Sequence, residues 1–379
     1  MLAWYMPVLA AGAVLLTTAM WHRPPLAGAV VVALCPVLSG LGRGLVAPGL
    51  KISELLLVLA AVVVFLRAPQ ARRPLSSAEQ WLLVFAVVSA GLAVLHLQVG
   101  QVGLGSTIRI GLQPVILYLT WWTASRAVTS VEEIRFVLRW VVLATAVMAT
   151  VAILQYFDIA GVREGIIAVV GPNVAPEPGV HPARVTGLFP IAHSMGGQML
   201  VPLVLMVALL LRRDRSVLPL FVVGMALATC VSAVMLSVTV TIISWVFFAI
   251  IIVALRVGRI GGALTYVGAA VLGGALLFRE AFATRLAQQS VENVKVPGTS
   301  VLPETVAYRI FIWQRDYIPL LRQSPVVGFG TDAPPSVMFT STENQFVTYM
   351  LRGGLFLTVF AIICFATIVA GAISTAETG

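Results

Sequence analysis

Apolar residues gather in long runs along this chain, separated by short polar links, and eleven of the runs approach the ~20 residues that a helix needs to cross a hydrocarbon core. They cover about 4–20, 26–41, 50–66, 80–97, 108–125, 134–157, 190–211, 216–236, 238–255, 260–278 and 345–374. The second is short and follows Pro24 and Pro25, so a tilted or re-entrant segment is expected there. The boundary between the eighth and ninth falls near Leu236 to Val238. The pattern predicts an all-α fold: a polytopic transmembrane helix bundle forming a single integral membrane domain over residues 1–379.

Composition strengthens this reading. The chain is 59% hydrophobic and only 10% charged, with a mean hydropathy of +1.00, whereas soluble domains are about a quarter charged. Lys plus Arg outnumber Asp plus Glu by 24 to 15. The excess sits in links between runs, which encodes orientation in a bilayer and argues against nucleic acid as a partner. Arg67, Arg72 and Arg73 form one basic link. Arg126, Arg135 and Arg139 flank a second, Arg212, Arg213 and Arg215 a third, and Arg256 and Arg259 a fourth. Held on the cytoplasmic side, these links place 98–107, 158–189 and 279–344 outside, the C-terminus inside and, by parity, Met1 outside. The first run has no basic region before it and further runs come at once, so it is expected to be a retained span rather than a cleaved signal. The end at Gly379 leaves room for a further span beyond it. Cys35, Cys230 and Cys364 lie inside apolar runs, as small core residues would, with no disulfide framework or thiolate metal site suggested.

The two long extracytoplasmic loops, 158–189 and 279–344, form the candidate site. Gly171, Pro172, Pro176, Pro178, Gly179 and Pro182 make regular helix unexpected in the first, and long structured loops tend to carry function. In the second, Val306, Ile310, Trp313, Tyr317 and Leu320 or Leu321 recur at helical spacing from Glu304 to Arg322, with Arg309, Gln314, Arg315 and Arg322 between them. This spacing predicts an amphipathic helix at the membrane surface.

Positive charge on an outward loop gains nothing from the topology rule, yet Arg184, Arg279, Arg285, Arg309, Arg315 and Arg322 are all there. Guanidinium groups grip phosphate oxygens in pairs and stay charged, which suits a phosphate or pyrophosphate site. The same arginines could instead pair with Glu280, Glu292, Glu304 and Asp316 or touch lipid headgroups. In Ser324-Pro-Val-Val-Gly-Phe-Gly330, Gly328 and Gly330 permit a tight turn with positive φ. Glu343-Asn344 opens the last run; a carboxylate there is partly desolvated and suited to take a proton from a hydroxyl, or is simply an acid favoured at a helix N-terminus. His193 could relay a proton, bond to a sugar hydroxyl or serve as a structural hydrogen-bonding group, and His181 is a weaker candidate. No His, Cys or acidic pair has metal-ligand spacing and no phosphate-binding loop of the nucleotide type is present, so no metal and no cofactor are expected.

In this order the pieces resemble the O-antigen ligase and O-antigen polymerase family of membrane glycan transferases. The family pattern of Arg and Trp a few residues apart, then Ser-Pro-x-x-Gly-x-Gly, then a His-Asn pair opening a span, is met by Arg309 with Trp313, Ser324 to Gly330, and Glu343-Asn344, with Gly354 further along the span. Arg184-Val-Thr-Gly-Leu-Phe resembles an earlier Arg-x-x-Gly segment of the family. Glu343 stands where the family has His, no arginine occupies Val238 to Ser244 where a Ser-Arg pair is common, and His193 lies near the family's Pro-Asn. The resemblance covers about 184–357 and implies a GT-C-like fold in the cytoplasmic (inner) membrane of a bacterium, with its active site facing outward.

It also implies an inverting glycosyltransferase: an acceptor hydroxyl attacks the anomeric carbon of a polyprenyl-pyrophosphate-linked glycan, and the polyprenyl pyrophosphate departs. Implied roles are catalytic for Glu343 as base and for Arg309 and Arg184 on the pyrophosphate. Arg315, Trp313, Asn344, His193, Gly328, Gly330 and Arg352 are implied for substrate binding, Trp313 as a stacking surface. Implied partners are the lipid-linked donor, a glycan or lipid acceptor, membrane lipids and other envelope-glycan assembly proteins. Ligase and polymerase activity are not separated. The alternatives are an inactive family member and a lipid-linked glycan flippase or transporter. Few ionisable residues in mid-span argue against transport. His96, Arg109, Arg139 and Arg352 are the exceptions, Arg352 lying about 13 Å into the last span and needing a partner or a watery cavity.

Overall fold

The computed structural model describes residues 6–46, 50–68, 72–100, 103–171, 185–237, 240–258, 304–331 and 344–378, with scattered positions between 261 and 283. Every regular element among the described residues is helical. In chain order they are α1 (Met6–His22), α2 (Pro24–Leu38), α3 (Ile52–Arg67), α4 (Ser77–Gln98), α5 (Leu104–Ala127), α6 (Val131–Phe157), α7 (Val162–Val170), α8 (Ala192–Arg212), α9 (Leu220–Leu236), α10 (Val240–Val257), α11 (Glu304–Ile312), α12 (Ile318–Gln323) and α13 (Gln345–Thr378).

Four of these, α4, α6, α8 and α13 as far as Gly371, are long and apolar enough to cross a membrane. α2 and α9 are apolar but shorter. Large apolar side chains stand out from the helices rather than in: Phe221 is 74% exposed, Val201 73% and Leu15 70%. A water-soluble protein rarely shows so much apolar surface, whereas hydrocarbon accepts it at no cost. The chain is an α-helical membrane protein.

Local chemistry sets the helix ends. Ser76 and Ser130 open α4 and α6 in the same way: each hydroxyl accepts from the N–H three residues on (3.4 and 3.2 Å), and Glu79 or Glu133 returns a carboxylate to the serine N–H (2.6 and 3.1 Å). Two orphan donors are thereby satisfied at each start. α6 stops where Asp158 turns left-handed at φ 49°, and α8 where Arg213 does so at φ 55°. The short second run begins at Pro24, as expected from the two prolines. It holds a wider π turn at Val30–Leu34 and ends at Leu38.

One expectation for the first outer loop is corrected: Val162–Val170 forms a helix, α7, within a loop, 158–189, whose composition makes regular helix unexpected. The reason lies in where the prolines sit, since none comes before Pro172, so Val162–Val170 keeps every backbone donor, and the buried Ile166 packs it down.

The chain forms two compact units. The first contains residues 1–72 and 123–288. Its core runs along α6, α8 and α9, where Val142, Met148, Met195, Met199, Leu203, Met206, Val223 and Cys230 are buried together. Small residues at Ala149, Ala152, Ala226 and Ala233 let the backbones approach, the usual way helices gain packing without a hydrophobic driving force in lipid. The second unit contains residues 73–122 and 289–379. Its core is the seam of α4 and α13, with Leu82, Phe85 and Leu92 against Tyr349, Leu357, Ala361 and Cys364. Phe85 and Tyr349 meet edge to face at 5.6 Å.

Candidate functional site

Seven of the ten residues assigned roles above lie in the second unit, and three of them, Gly328, Gly330 and Arg352, stand at one feature of it, a break in α13. Gly353 (φ −149°, ψ 19°) and Gly354 (φ 63°, ψ −159°) leave helical geometry, so α13 is two helices joined at a kink. A broken helix frees backbone groups that hydrocarbon cannot satisfy, and here another part of the chain satisfies them. The loop Ser324–Gly330 lies across the break. Phe329 N–H donates to Leu351 O on the near side (2.6 Å), while Leu355 N–H donates to Pro325 O (2.7 Å) and Phe356 N–H to Val326 O (3.3 Å) on the far side.

The glycines of the loop allow this approach. Gly328 has φ 66°, and a Cβ there would meet the Leu351 and Met350 carbonyl oxygens at 2.6 Å. Gly330 has φ 68°, and its Cβ would strike the His96 side chain at 2.5 Å. The turn closes on itself through Gly328 N–H to Ser324 O (3.1 Å) and Ser324 Oγ to Gly328 O (2.8 Å). His96, 2% exposed near the end of α4, approaches the loop from another side: its Nε2 lies 2.9 Å from Val327 O and must donate, since a carbonyl has no proton.

The amphipathic stretch is helical as expected, but a π turn at Trp313–Tyr317 separates α11 from α12. Pro319 accounts for it, since Pro has no N–H for the Arg315 carbonyl and its ring crowds the preceding turn. Ile318 N–H reaches back to Trp313 O instead. Tyr317 of the expected series is buried and Trp313 and Leu321 pack against its cluster, while Ile310 is half-buried and Ala307 and Ile312, outside that series, are buried as well. Ile312, Tyr317 and Leu351 form one apolar cluster with Tyr308, Phe311, Trp313, Leu321, Phe329 and Val347 against it.

Arg352 is 6% exposed, and its guanidinium donates to Gln113 Oε1 on α5. One partner of this span-embedded arginine is thus a neutral amide from a neighbouring helix. Arg309 and Trp313 are half-buried. Arg315 forks onto the adjacent Asp316 carboxylate (2.7 and 2.9 Å) and lies over the Phe311 ring at 4.7 Å. The Asp316 hydrogen bonds push the Arg315 pKa further up. Asn344 caps α13, its Oδ1 accepting from Phe346 N–H (2.8 Å) and Val347 N–H (3.3 Å).

Arg184 and Glu343 lie outside the described residues, as does His181. His193 belongs to the first unit, exposed in the first turn of α8. The segment immediately after Arg184 is held firmly there. Gln155, 2% exposed near the end of α6, accepts from the N–H groups of Thr186 and Gly187 (2.9 Å each) and donates to Thr186 Oγ1 (3.1 Å). Gly40 presses on the same segment, where a Cβ would lie 1.8 Å from Leu188 O.

Three polar groups escaped the sequence reading. Gln155 and Gln113 are lone neutral amides inside apolar runs, where only charge stands out against the background. Glu54, 8% exposed at the start of α3, receives a bidentate Arg43 (2.7 and 3.0 Å) and Lys51 N–H (3.0 Å), while Lys51 Nζ donates to Ser39 O. The signal was three charges within twelve residues at the edge of an apolar run.

Comparison of the chain with protein-family models, with curated proteins and with solved structures finds no match in any of the three. Among the described residues no group of three or more His, Cys, Asp or Glu side chains could hold a metal ion.

Proposed function

We propose that this protein is a glycan transferase of the O-antigen ligase or polymerase type, acting on a polyprenyl-pyrophosphate-linked donor. One observation supports the reading above others. The stretches that resemble the family's late motifs, Arg309 with Trp313, Ser324 to Gly330, Asn344 and the glycine of the last span, are packed around one break in α13 although the sequence spreads them over 46 positions.

In this reading of a bundle of about eleven spans, the family resemblance assigns the pyrophosphate to Arg309 and Arg184, with Arg315 and Arg352 as further cations. The acceptor hydroxyl attacks the anomeric carbon, the bond from that carbon to the pyrophosphate oxygen breaks, and Glu343 takes the hydroxyl proton. Direct displacement inverts the anomeric configuration. Guanidinium groups fixed in place before the reaction stabilise the charge growing on the departing pyrophosphate without reorganisation. Asn344, already turned into a cap, keeps the mouth of α13 in one conformation. Trp313 offers a ring for a sugar face, His193 a hydrogen bond on the first unit.

The test is deletion of the gene in the native host, with identification of the polyprenyl-linked glycan that accumulates and of its leaflet. Accumulation in the outer leaflet, restored to product by wild type but not by Glu343→Gln or Arg309→Ala variants that still express and fold, supports transfer. Accumulation in the inner leaflet favours the flippase alternative, and full product from the Glu343→Gln, Arg309→Ala double variant removes the catalytic reading.

A further inference from the structure

The loop across the break leaves one question of mechanics: what holds the loop. Its three backbone hydrogen bonds to α13 tie it to the helix it supports, so they cannot set where both stand together. The apolar seam sets α13 on α4, so the loop itself still needs a direct anchor there. His96 fits that need, because it belongs to α4, is buried, and donates Nε2–H to Val327 O in the middle of the loop. Contact with Gly330 adds shape to this bond, since the imidazole fills the space that any side chain at Gly330 would need.

The consequences reach the candidate site. Leu351, whose carbonyl receives Phe329 N–H, directly precedes Arg352, and the two turns from Asn344 to Arg352 end at the break. Phe329 also packs in the cluster that carries α11 and its π turn. A loop free to slide would let Arg352, Asn344 and the Arg309 helix drift together. Misplacement by about 1 Å at a reacting centre can cost on the order of a hundredfold in rate.

We propose that His96 is a positioning residue for the transfer reaction, acting from α4 through the Ser324–Gly330 loop to hold the two turns that begin α13. This rests on the transferase reading, and the experiment separates the two. Full-length protein in lipid nanodiscs is compared as wild type, His96→Leu, which keeps bulk without a donor, and His96→Gln, whose amide can donate again. Amide exchange is read at Phe329, Leu355 and Phe356, and donor kinetics in a transfer assay.

The expected result for His96→Leu is at least tenfold faster exchange at the three amides and a tenfold or larger fall in kcat with the donor KM within twofold, both reversed in His96→Gln. A purely structural defect would lower the active fraction without His96→Gln restoring loop protection. Wild-type protection and kcat in His96→Leu overturn the proposal, as does free-loop exchange at the three amides in the wild type, a measurement that holds even if His96→Leu fails to fold. Wild-type protein with the protection pattern but no transfer sinks the transferase reading and the kinetic half of the proposal, leaving only the tether.

Discussion

Gly354→Ala isolates the contact on which the candidate site depends. At φ 63° and ψ −159° the backbone occupies a region open almost only to glycine, and holding another residue there costs about 1–3 kcal/mol. A Cβ would stand 2.2 Å from the carbonyl carbon and oxygen of Val326 and 2.5 Å from Val327 N. Those are backbone atoms that cannot swing aside, so the loop must withdraw. Withdrawal strands Leu355 N–H and Phe356 N–H, each at about 1–3 kcal/mol when no water replaces the partner. The total is on the order of 3–9 kcal/mol, against a net stability of about 5–15 kcal/mol for a typical protein. Thermal unfolding in detergent micelles reads the effect, with Gly91→Ala as control. Nothing lies within 4 Å of a Cβ at Gly91, and replacing glycine inside a helix is expected to add about 0.5–1 kcal/mol. The expected order of melting temperature is Gly91→Ala above wild type and Gly354→Ala far below both. If Gly354→Ala melts with the wild type, the loop does not bridge the break and the candidate site loses its support.

Other substitutions probe the remaining contacts. Gln113→Leu takes the amide acceptor from buried Arg352 and should cost about 1–3 kcal/mol by equilibrium unfolding, while Gln113→Glu should keep the protein folded by offering a carboxylate. Gln155→Leu leaves two buried N–H groups, of Thr186 and Gly187, without their shared acceptor, about 2–6 kcal/mol together; proteolysis after residue 184 should accelerate in this variant and less in Gln155→Glu, which keeps an oxygen in the place of Oε1. Gly40→Ala should disturb the same segment from its opposite side, since the methyl would overlap Leu188 O; wild-type protease resistance there would refute that contact.

Much of the helical framework was legible because length and apolarity alone decide it. The starts of α4 and α6 follow from Ser-x-x-Glu spacing, and the expected stretches 80–97 and 134–157 differ from the observed helices by a few residues at most. Chemistry inside the spans was less legible. A glycine pair at 353–354 signals a possible break, yet nothing local says which loop will lie across it, because the partner is set by backbone hydrogen bonds that carry no residue identity. The Ser-Pro-x-x-Gly-x-Gly motif is the sequence trace of that docking: positive φ at both glycines is readable, the approach to Leu351 O and His96 is not. The π turn in the amphipathic stretch is hidden for a comparable reason. Pro319 is plain in the sequence, but its effect, a π turn that rotates the residues beyond it, appears only when the turn is built. The charge of Arg352 within an apolar run calls for a partner, but Gln113, a neutral amide, carries no charge that marks it as one.

The kink at Gly353 and Gly354 also changes what counts as the last crossing. From Leu355 to Thr378 the second piece of α13 is roughly 36 Å long at about 1.5 Å per residue, more than the ~30 Å of hydrocarbon it would have to traverse. That rod suffices by itself. The piece before it, ending in Arg352, need not cross at all, and its guanidinium stays buried against the Gln113 amide, so protein rather than acyl chains surrounds the permanent cation.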